Sequence, residues 1–224
     1  MDYQGIFFDF DYTLGDSTLA IVHGFQAGFA ALGLPEPTRE QVRPTIGMTL
    51  ADAYRLLTGD ESADHAREFY RQFQLAVGEL AGEEGRQLMV EGTRLLPGAA
   101  EILAAVKGAG AAAAVVSTKL GITIRRILEH NRLAVMPDLI IGGEDVARNK
   151  PDPEGLLRAL DTLNVPAEKA LFCGDTVIDA QTAANAGVAF AAVLNGTTPA
   201  GAFDGYPCVY VARDLPELQR FLGL

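Results

Sequence analysis

The sequence predicts an α/β fold: a parallel β-sheet with helices on both faces, interrupted after its first strand by a block of helices. Three features of the 224 residues point to it. Apolar runs of strand length recur, and they are continuous rather than alternating, as in strands buried on both faces. Helical patterns lie between them, the rhythm of a parallel sheet with crossover helices. Residues 16–90 break that rhythm, with helical periodicity and no convincing strand.

In chain order, Ile6-Phe7-Phe8 reads as the first strand and leads into Asp9. Within the insertion, Ile21, Phe25, Phe29 and Leu32 mark one helical face, and Phe69, Phe73 and Val77 mark another. Gly82 and Gly85 flank Glu83-Glu84 near its far end, and the chain rejoins the sheet before Leu96-Pro97-Gly98. Ala111 to Val116 is the next strand and leads into Ser117, and residues 121–131 carry Ile124, Ile127 and Leu128 at helical spacing. Leu139-Ile140-Ile141 follows and ends on Gly142-Gly143. Residues 153–163 form a helix carrying Leu156, Leu157, Leu160 and Leu163, with Asp152 as its cap and Pro153 in its first turn. Ala170 to Cys173 leads into Gly174-Asp175, and the Ala-rich helix over 177–186 stops at Gly187. Ala189 to Leu194 and Val209-Tyr210-Val211 complete the sheet. The expected domains are residues 1–15 with 91–224 as the sheet core and 16–90 as a helical domain.

With 49% hydrophobic and 21% charged residues, the composition excludes a disordered chain, a collagen and a coiled coil. A net charge of −11 makes the chain a poor ligand for nucleic-acid phosphates or an anionic membrane surface. Cys173 and Cys208 are too few for a disulfide framework and read as buried, reduced thiols. The start Met1-Asp2-Tyr3-Gln4 lacks the charge and apolar run of a signal peptide. The stretch Ala109 to Val116 is far short of the roughly 18 residues of a membrane helix. The expectation is a cytoplasmic protein without nucleic-acid or membrane partners.

Ligands of an open parallel sheet bind at the carboxyl ends of its strands. The residues there are distinctive: Asp9, Asp11 and Thr13 after the first strand, Ser117, Thr118 and Lys119 after the second, and Asp175, Thr176 and Asp179 after the fourth. Lys150 stands just before Pro151-Asp152-Pro153. Carboxylates from Asp9, Asp11 and Asp175 on one rim repel unless a cation holds them. An all-oxygen ligand set suits Mg²⁺, which takes one or two carboxylates and a phosphate. Lys150 and Ser117 would then handle an anion's oxygens around a free carboxylate nucleophile.

Other motifs carry no chemistry. Gly108-Ala109-Gly110 with Ala113 mimics a dinucleotide fingerprint but precedes a strand. A calcium loop opening at Asp9 would need Gly where Leu14 stands and Glu where Ala20 stands. His23, His65 and His130 lack metal-ligand spacing. No G-x-S-x-G elbow is present.

Asp9-Phe10-Asp11-Tyr12-Thr13-Leu14 resembles the first motif of the haloacid dehalogenase superfamily. Val115-Val116-Ser117-Thr118-Lys119 resembles its second, Lys150-Pro151-Asp152-Pro153-Glu154 its third, and Gly174-Asp175-Thr176 with Asp179 its fourth. All four arrive in the family's order. The resemblance implies a Rossmann-like core and a helical cap over 16–90, as in the subclass of phosphoglycolate phosphatase and β-phosphoglucomutase. It implies that Asp9 is the nucleophile, forming an aspartyl-phosphate, and that Asp11 is general acid and then base. Asp9, the Asp11 carbonyl and Asp175 would bind Mg²⁺, with Asp179 orienting the metal's water shell. Ser117 and the Thr118 amide would bind phosphate, Lys150 would offset charge on Asp9 and the phosphoryl group, and Thr13 would steady the Asp11 loop.

Position 12 is often Gly in the family; Tyr12 places a large ring at the site's mouth, disfavoured if φ there is positive. Lys119 is equally a substrate contact or a solvated lysine, and Arg43, Thr45 and Gly47 lie where relatives' caps approach the core. The expected function is hydrolysis of a small phosphorylated metabolite of the phosphoglycolate type by a monomer or homodimer. The alternatives are an inorganic pyrophosphatase, a sugar-phosphate phosphatase or phosphomutase, a metal-independent dehalogenase, and a non-catalytic binding protein.

Overall fold

The computed structural model describes residues 2–224. Strand β1 (Gly5–Phe8) opens the chain and is followed by the short β2 (Gly15–Asp16). Helices α1 (Thr18–Ala31), α2 (Arg39–Val42), α3 (Leu50–Thr58), α4 (Ala63–Val77) and α5 (Glu83–Glu91) come next. After β3 (Arg94–Leu95), which pairs with β2, strands and helices alternate as far as β7. They are α6 (Ala99–Gly108), β4 (Ala112–Val116), α7 (Gly121–His130), β5 (Leu139–Ile141) and α8 (Glu154–Leu163), then β6 (Ala170–Gly174), α9 (Val177–Ala186), β7 (Ala189–Val193), β8 (Cys208–Ala212) and α10 (Leu215–Phe221).

The main sheet has the order β5-β4-β1-β6-β7-β8, and its pairings are parallel. Each apolar run read as a strand is one of its members. β1 is central and buried along its whole length, so its residues are apolar without alternation. Across the pairings Phe7 lies between Ala114 of β4 and Phe172 of β6, and Phe172 faces Phe190 of β7, so three rings line up along one row of the sheet. Phe7, Phe172 and Phe190 belong to one cluster with Leu156, Ala159 and Leu160 of α8 and Ala180 and Ala183 of α9. Burying each of these rings is worth about 2–3 kcal/mol.

The chain divides into two compact units, residues up to 16 with 95–224, and residues 17–94. The sequence reading returned the chain to the core at residue 91, but Glu91 still belongs to α5 and β3 follows it. Strands of two residues, such as β2 and β3, are too short to leave a periodic pattern. The structure adds helices α6 and α10, whose helical spacing is carried by Ile102, Leu103 and Val106 and by Leu215 and Leu218.

The helical unit is held by aromatic packing. Phe69 of α4 meets Phe25 and Phe29 of α1 edge-on, with centroids 5.1 and 5.6 Å apart, and stacks on Tyr54 of α3 at 5.3 Å. Such pairs contribute about 0.5–1.5 kcal/mol beyond their buried area. Helix α1 comes this close to α4 because Gly24 and Gly28, one turn apart, lack side chains. A Cβ on Gly24 would lie 2.5 Å from the Phe73 ring, and one on Gly28 would lie 2.7 Å from the Phe69 ring. Side-chain caps from Thr49 and Ser62 start α3 and α4.

Candidate active site

The chain steps from β1 outward to β4 and β5, then returns to the other side of β1 with β6. The crevice beyond the carboxyl ends of β1, β4 and β6 is therefore a topological switch point. Asp9, Ser117 and Asp175 each stand one residue past the end of one of these strands. Asp179 lies in the first turn of α9, and Lys150 precedes α8.

Asp9, Asp175 and Asp179 are 1%, 2% and 0% exposed, and a carboxylate oxygen of each lies within 4.8 Å of the others. Lys150 Nζ is 2.5 Å from Asp179 Oδ1 and 2.8 Å from Asp9 Oδ1. Asp179 Oδ2 accepts from the Thr176 amide at 3.1 Å and from its hydroxyl at 2.6 Å, while Thr176 Oγ1 caps α9 by accepting from the Asp179 amide. Asp179 is thus fully engaged and carries Lys150 toward Asp9. Lys150 meets Asp9 Oδ1 as an ion pair at 2.8 Å, and neither Asp9 carboxylate oxygen has a well-aligned hydrogen bond among the described residues. Buried polar atoms nearly always have one, so these two oxygens face a position suited to something bound.

Electrostatics support the same conclusion. At a separation near 4.8 Å, like charges repel by about 3 kcal/mol per pair at an effective dielectric of ~20. One lysine does not balance three such groups. Burial pushes the Asp9 carboxyl up to about 6, with Asp179 adding to the rise and Lys150 opposing it. Burial, then the Asp179 and Asp9 charges, hold Asp175 well above the usual carboxylate range. Burial pulls Lys150 down, but Asp179 and Asp9 outweigh it and keep the ammonium above the ordinary lysine value.

Two glycines let the carboxylates approach. A Cβ on Gly196, in the loop after β7, would fall 2.0 Å from Asp175 Oδ2, and one on Gly174 would fall 2.5 Å from Asp179. Asn195 Nδ2, next to Gly196, is also buried without a partner. The hard oxygen donors, the unpartnered Asp9 oxygens and this glycine cradle fit a small divalent cation, which Asp9 and Asp175 could hold.

The rest of the rim divides differently from the sequence expectation. The Asp11 side chain is outside the three-carboxylate cluster; its oxygens accept from Lys119 Nζ at 3.0 and 3.2 Å. Thr13 donates to Asp175 Oδ1 at 3.4 Å. The hydroxyl of Ser117 accepts from the Lys119 amide at 3.3 Å, and Thr118 lies between them in the chain. Tyr12 has a φ of 57°, the left-handed region that disfavours a bulky residue, and is only 4% exposed. Its side chain is therefore buried rather than standing open at a mouth. Arg43, Thr45 and Gly47 lie in the helical unit. The tight approach at Gly196 has no sequence signal, since a single glycine after a strand is uninformative until its neighbour is known.

Residues 6–193 match the haloacid dehalogenase-like hydrolase family. A solved structure of a Bacteroides fragilis protein described as a haloacid dehalogenase-like hydrolase superposes with a TM-score of 0.88 at 37% identity, covering 96% of this chain and 99% of that one. The pyrophosphatase PpaX of Listeria monocytogenes is 32% identical over 81% of this chain and 78% of its own. A phosphoglycolate phosphatase of Aquifex aeolicus is 31% identical over 85% and 84%. The chain belongs to the haloacid dehalogenase-like hydrolase family.

Proposed function

We propose that the protein is a Mg²⁺-dependent phosphatase that hydrolyses a small phosphorylated metabolite, a phosphomonoester of the phosphoglycolate type, through an aspartyl-phosphate on Asp9. The observation that carries this reading is the Asp9 carboxylate, buried, ion-paired with Lys150, close to Asp175 and without a well-aligned hydrogen bond at either oxygen. The similarity to relatives named as phosphatases supports it. The free Cys173 and Cys208 suit the reducing cytoplasm.

Asp9 attacks phosphorus with a carboxylate oxygen, and the bond from phosphorus to the leaving oxygen breaks. Asp11, in its acid form, gives that oxygen its proton. The resulting carboxylate of Asp11 then takes a proton from water as the water oxygen bonds to phosphorus. The bond from phosphorus to Asp9 breaks, returning the Asp9 carboxylate and releasing phosphate. Lys150, fixed by Asp179, neutralises charge on Asp9 and the phosphoryl oxygens. Ser117 and the Thr118 amide orient those oxygens. Mg²⁺, held by Asp9, Asp175 and the Asp11 carbonyl, would supply positive charge against the phosphoryl group.

A metal-independent dehalogenase would not need Asp175 or a proton donor at Asp11. Chelation by EDTA should abolish turnover of phosphoglycolate, and Mg²⁺ should restore it; undiminished turnover in EDTA would remove the phosphatase reading. A screen of phosphoglycolate, pyrophosphate and hexose phosphates ranked by kcat/KM identifies the preferred ester.

A further inference from the structure

We propose that Lys119 is a specificity-determining residue that binds a second anionic group carried by the leaving group, so that the enzyme prefers phosphate esters bearing a carboxylate or phosphate close to the scissile oxygen. This rests on the phosphatase reading above and on Asp11 as the proton donor in it.

Lys119 and Asp11 come from adjacent strand ends, β4 and β1, within one compact unit. The Lys119 ammonium is 3.0 and 3.2 Å from the two Asp11 oxygens, and both side chains are about nine-tenths buried. The Phe10 ring lies 6.0 Å from the same ammonium and forms an apolar wall beside it. The ammonium has three donors. Two can serve Asp11 as the carboxylate and fewer when Asp11 holds the proton, so at least one remains.

The geometry of proton transfer fixes where this donor lies relative to substrate. A general acid sits about 2.6–3.2 Å from the oxygen it protonates. Lys119 is one further hydrogen bond away, so its ammonium is within roughly 6 Å of the leaving oxygen. An anionic group two or three bonds beyond that oxygen falls within reach of the spare donor. Phosphoglycolate and pyrophosphate share this chemistry. A neutral alcohol as leaving group would leave this largely buried donor without an acceptor.

The rim's other buried lysine supplies a contrast. Lys150 is committed to Asp9 and Asp179 at 2.8 and 2.5 Å, both on the phosphoryl side of the site. Lys119 is therefore the cation placed to read the leaving group rather than the phosphoryl group.

The test compares two esters with alkoxide leaving groups of similar shape, phosphoglycolate and 2-hydroxyethyl phosphate, on wild-type protein and on Lys119→Met and Lys119→Arg, with Mg²⁺ present. Wild type should prefer phosphoglycolate in kcat/KM by about 10- to 100-fold, the range of a charge-assisted hydrogen bond. Lys119→Met should erase most of that preference, chiefly through KM for phosphoglycolate, and Lys119→Arg should restore part of it. Any disturbance of Asp11 enters both rates and drops out of their ratio. An unchanged ratio in Lys119→Met, or equal rates for both esters in wild type, would overturn the assignment. Turnover of 2-hydroxyethyl phosphate that disappears in Asp9→Asn checks the underlying phosphatase reading separately. If Lys119→Met is poorly folded, Lys119→Gln gives the same ratio.

Discussion

The sheet rim and the inserted helical unit use burial in opposite ways. At the rim, five groups that ionise, Asp9, Asp11, Asp175, Asp179 and Lys150, are packed at exposures of 8% or less. In the helical unit the buried space is filled by Phe25, Phe29, Phe69, Phe73 and Tyr54. The aromatic arrangement satisfies itself, because apolar contact asks for no further partner. The rim does not, because three carboxylates share one ammonium and Asp9 has no aligned donor. Substitutions at the rim should therefore cost activity with little loss of fold, and substitutions among the rings should do the reverse.

The strongest contrast is expected from Asp9→Asn. It keeps the shape of the side chain and relieves repulsion, so turnover should fall by more than about a thousandfold while the thermal midpoint holds or rises. A variant that loses both together would break the division between the regions. Gly196→Ala should come next. Its Cβ would displace the Asp175 carboxylate. A misplacement near 1 Å costs about a hundredfold in rate, so kcat/KM should fall by roughly that much and the Mg²⁺ concentration for half-activity should rise.

Protonation sharpens the same contrast. Asp9 has a folded-state value of about 6, raised above its ordinary 3.8. A raised carboxylate stabilises the fold below its unfolded value, and that contribution disappears as pH rises through the folded one. Metal-free protein should thus lose up to about 3 kcal/mol from this group between pH 4 and pH 7. Mg²⁺ should offset the loss, so the difference in thermal midpoint between Mg²⁺ and EDTA should be larger at pH 8 than at pH 5. An equal difference at both would mean that Asp9 does not face the ion.

In the helical unit, Gly28→Ala should lower stability by about 1–3 kcal/mol, since its Cβ would fall 2.7 Å from a Phe69 ring that is fully buried against Phe25, Phe29 and Tyr54. That outweighs the gain of less than about 1 kcal/mol from replacing a helical glycine. Thermal melting should register a fall of a few degrees, with kcat preserved below the transition. The smallest effect is expected at Tyr12, a rim residue that behaves like the rings. Its left-handed backbone costs about 1–2 kcal/mol, and burial of its side chain returns about 2–3 kcal/mol. Tyr12→Gly should destabilise by about 1 kcal/mol; a stabilised variant would show that strain dominates.

The same contrast explains what the sequence disclosed. The strands of the main sheet were legible because burial on both faces forces continuous apolar runs, and Asp9, Ser117 and Asp175 were legible because they interrupt those runs at their carboxyl ends. The pairing of Asp11 with Lys119, 108 positions apart, left no local trace. Nor did the turn of Thr13 toward Asp175, because side-chain direction beyond a strand end depends on contacts made across the sheet. In the helical unit, Phe25 and Phe69 marked faces, but the interlock through Gly24 and Gly28 depends on which helix lies opposite.

The central claim is that Asp9 carries the phosphoryl group during turnover. Quenching the enzyme in acid while it turns over phosphoglycolate with Mg²⁺, reducing any acyl phosphate with borohydride and sequencing the N-terminal peptide by mass spectrometry tests it directly. The account predicts conversion of Asp9 to homoserine, dependent on substrate and Mg²⁺. An unmodified Asp9 in enzyme caught at full turnover, or a modification at another carboxylate, would contradict it.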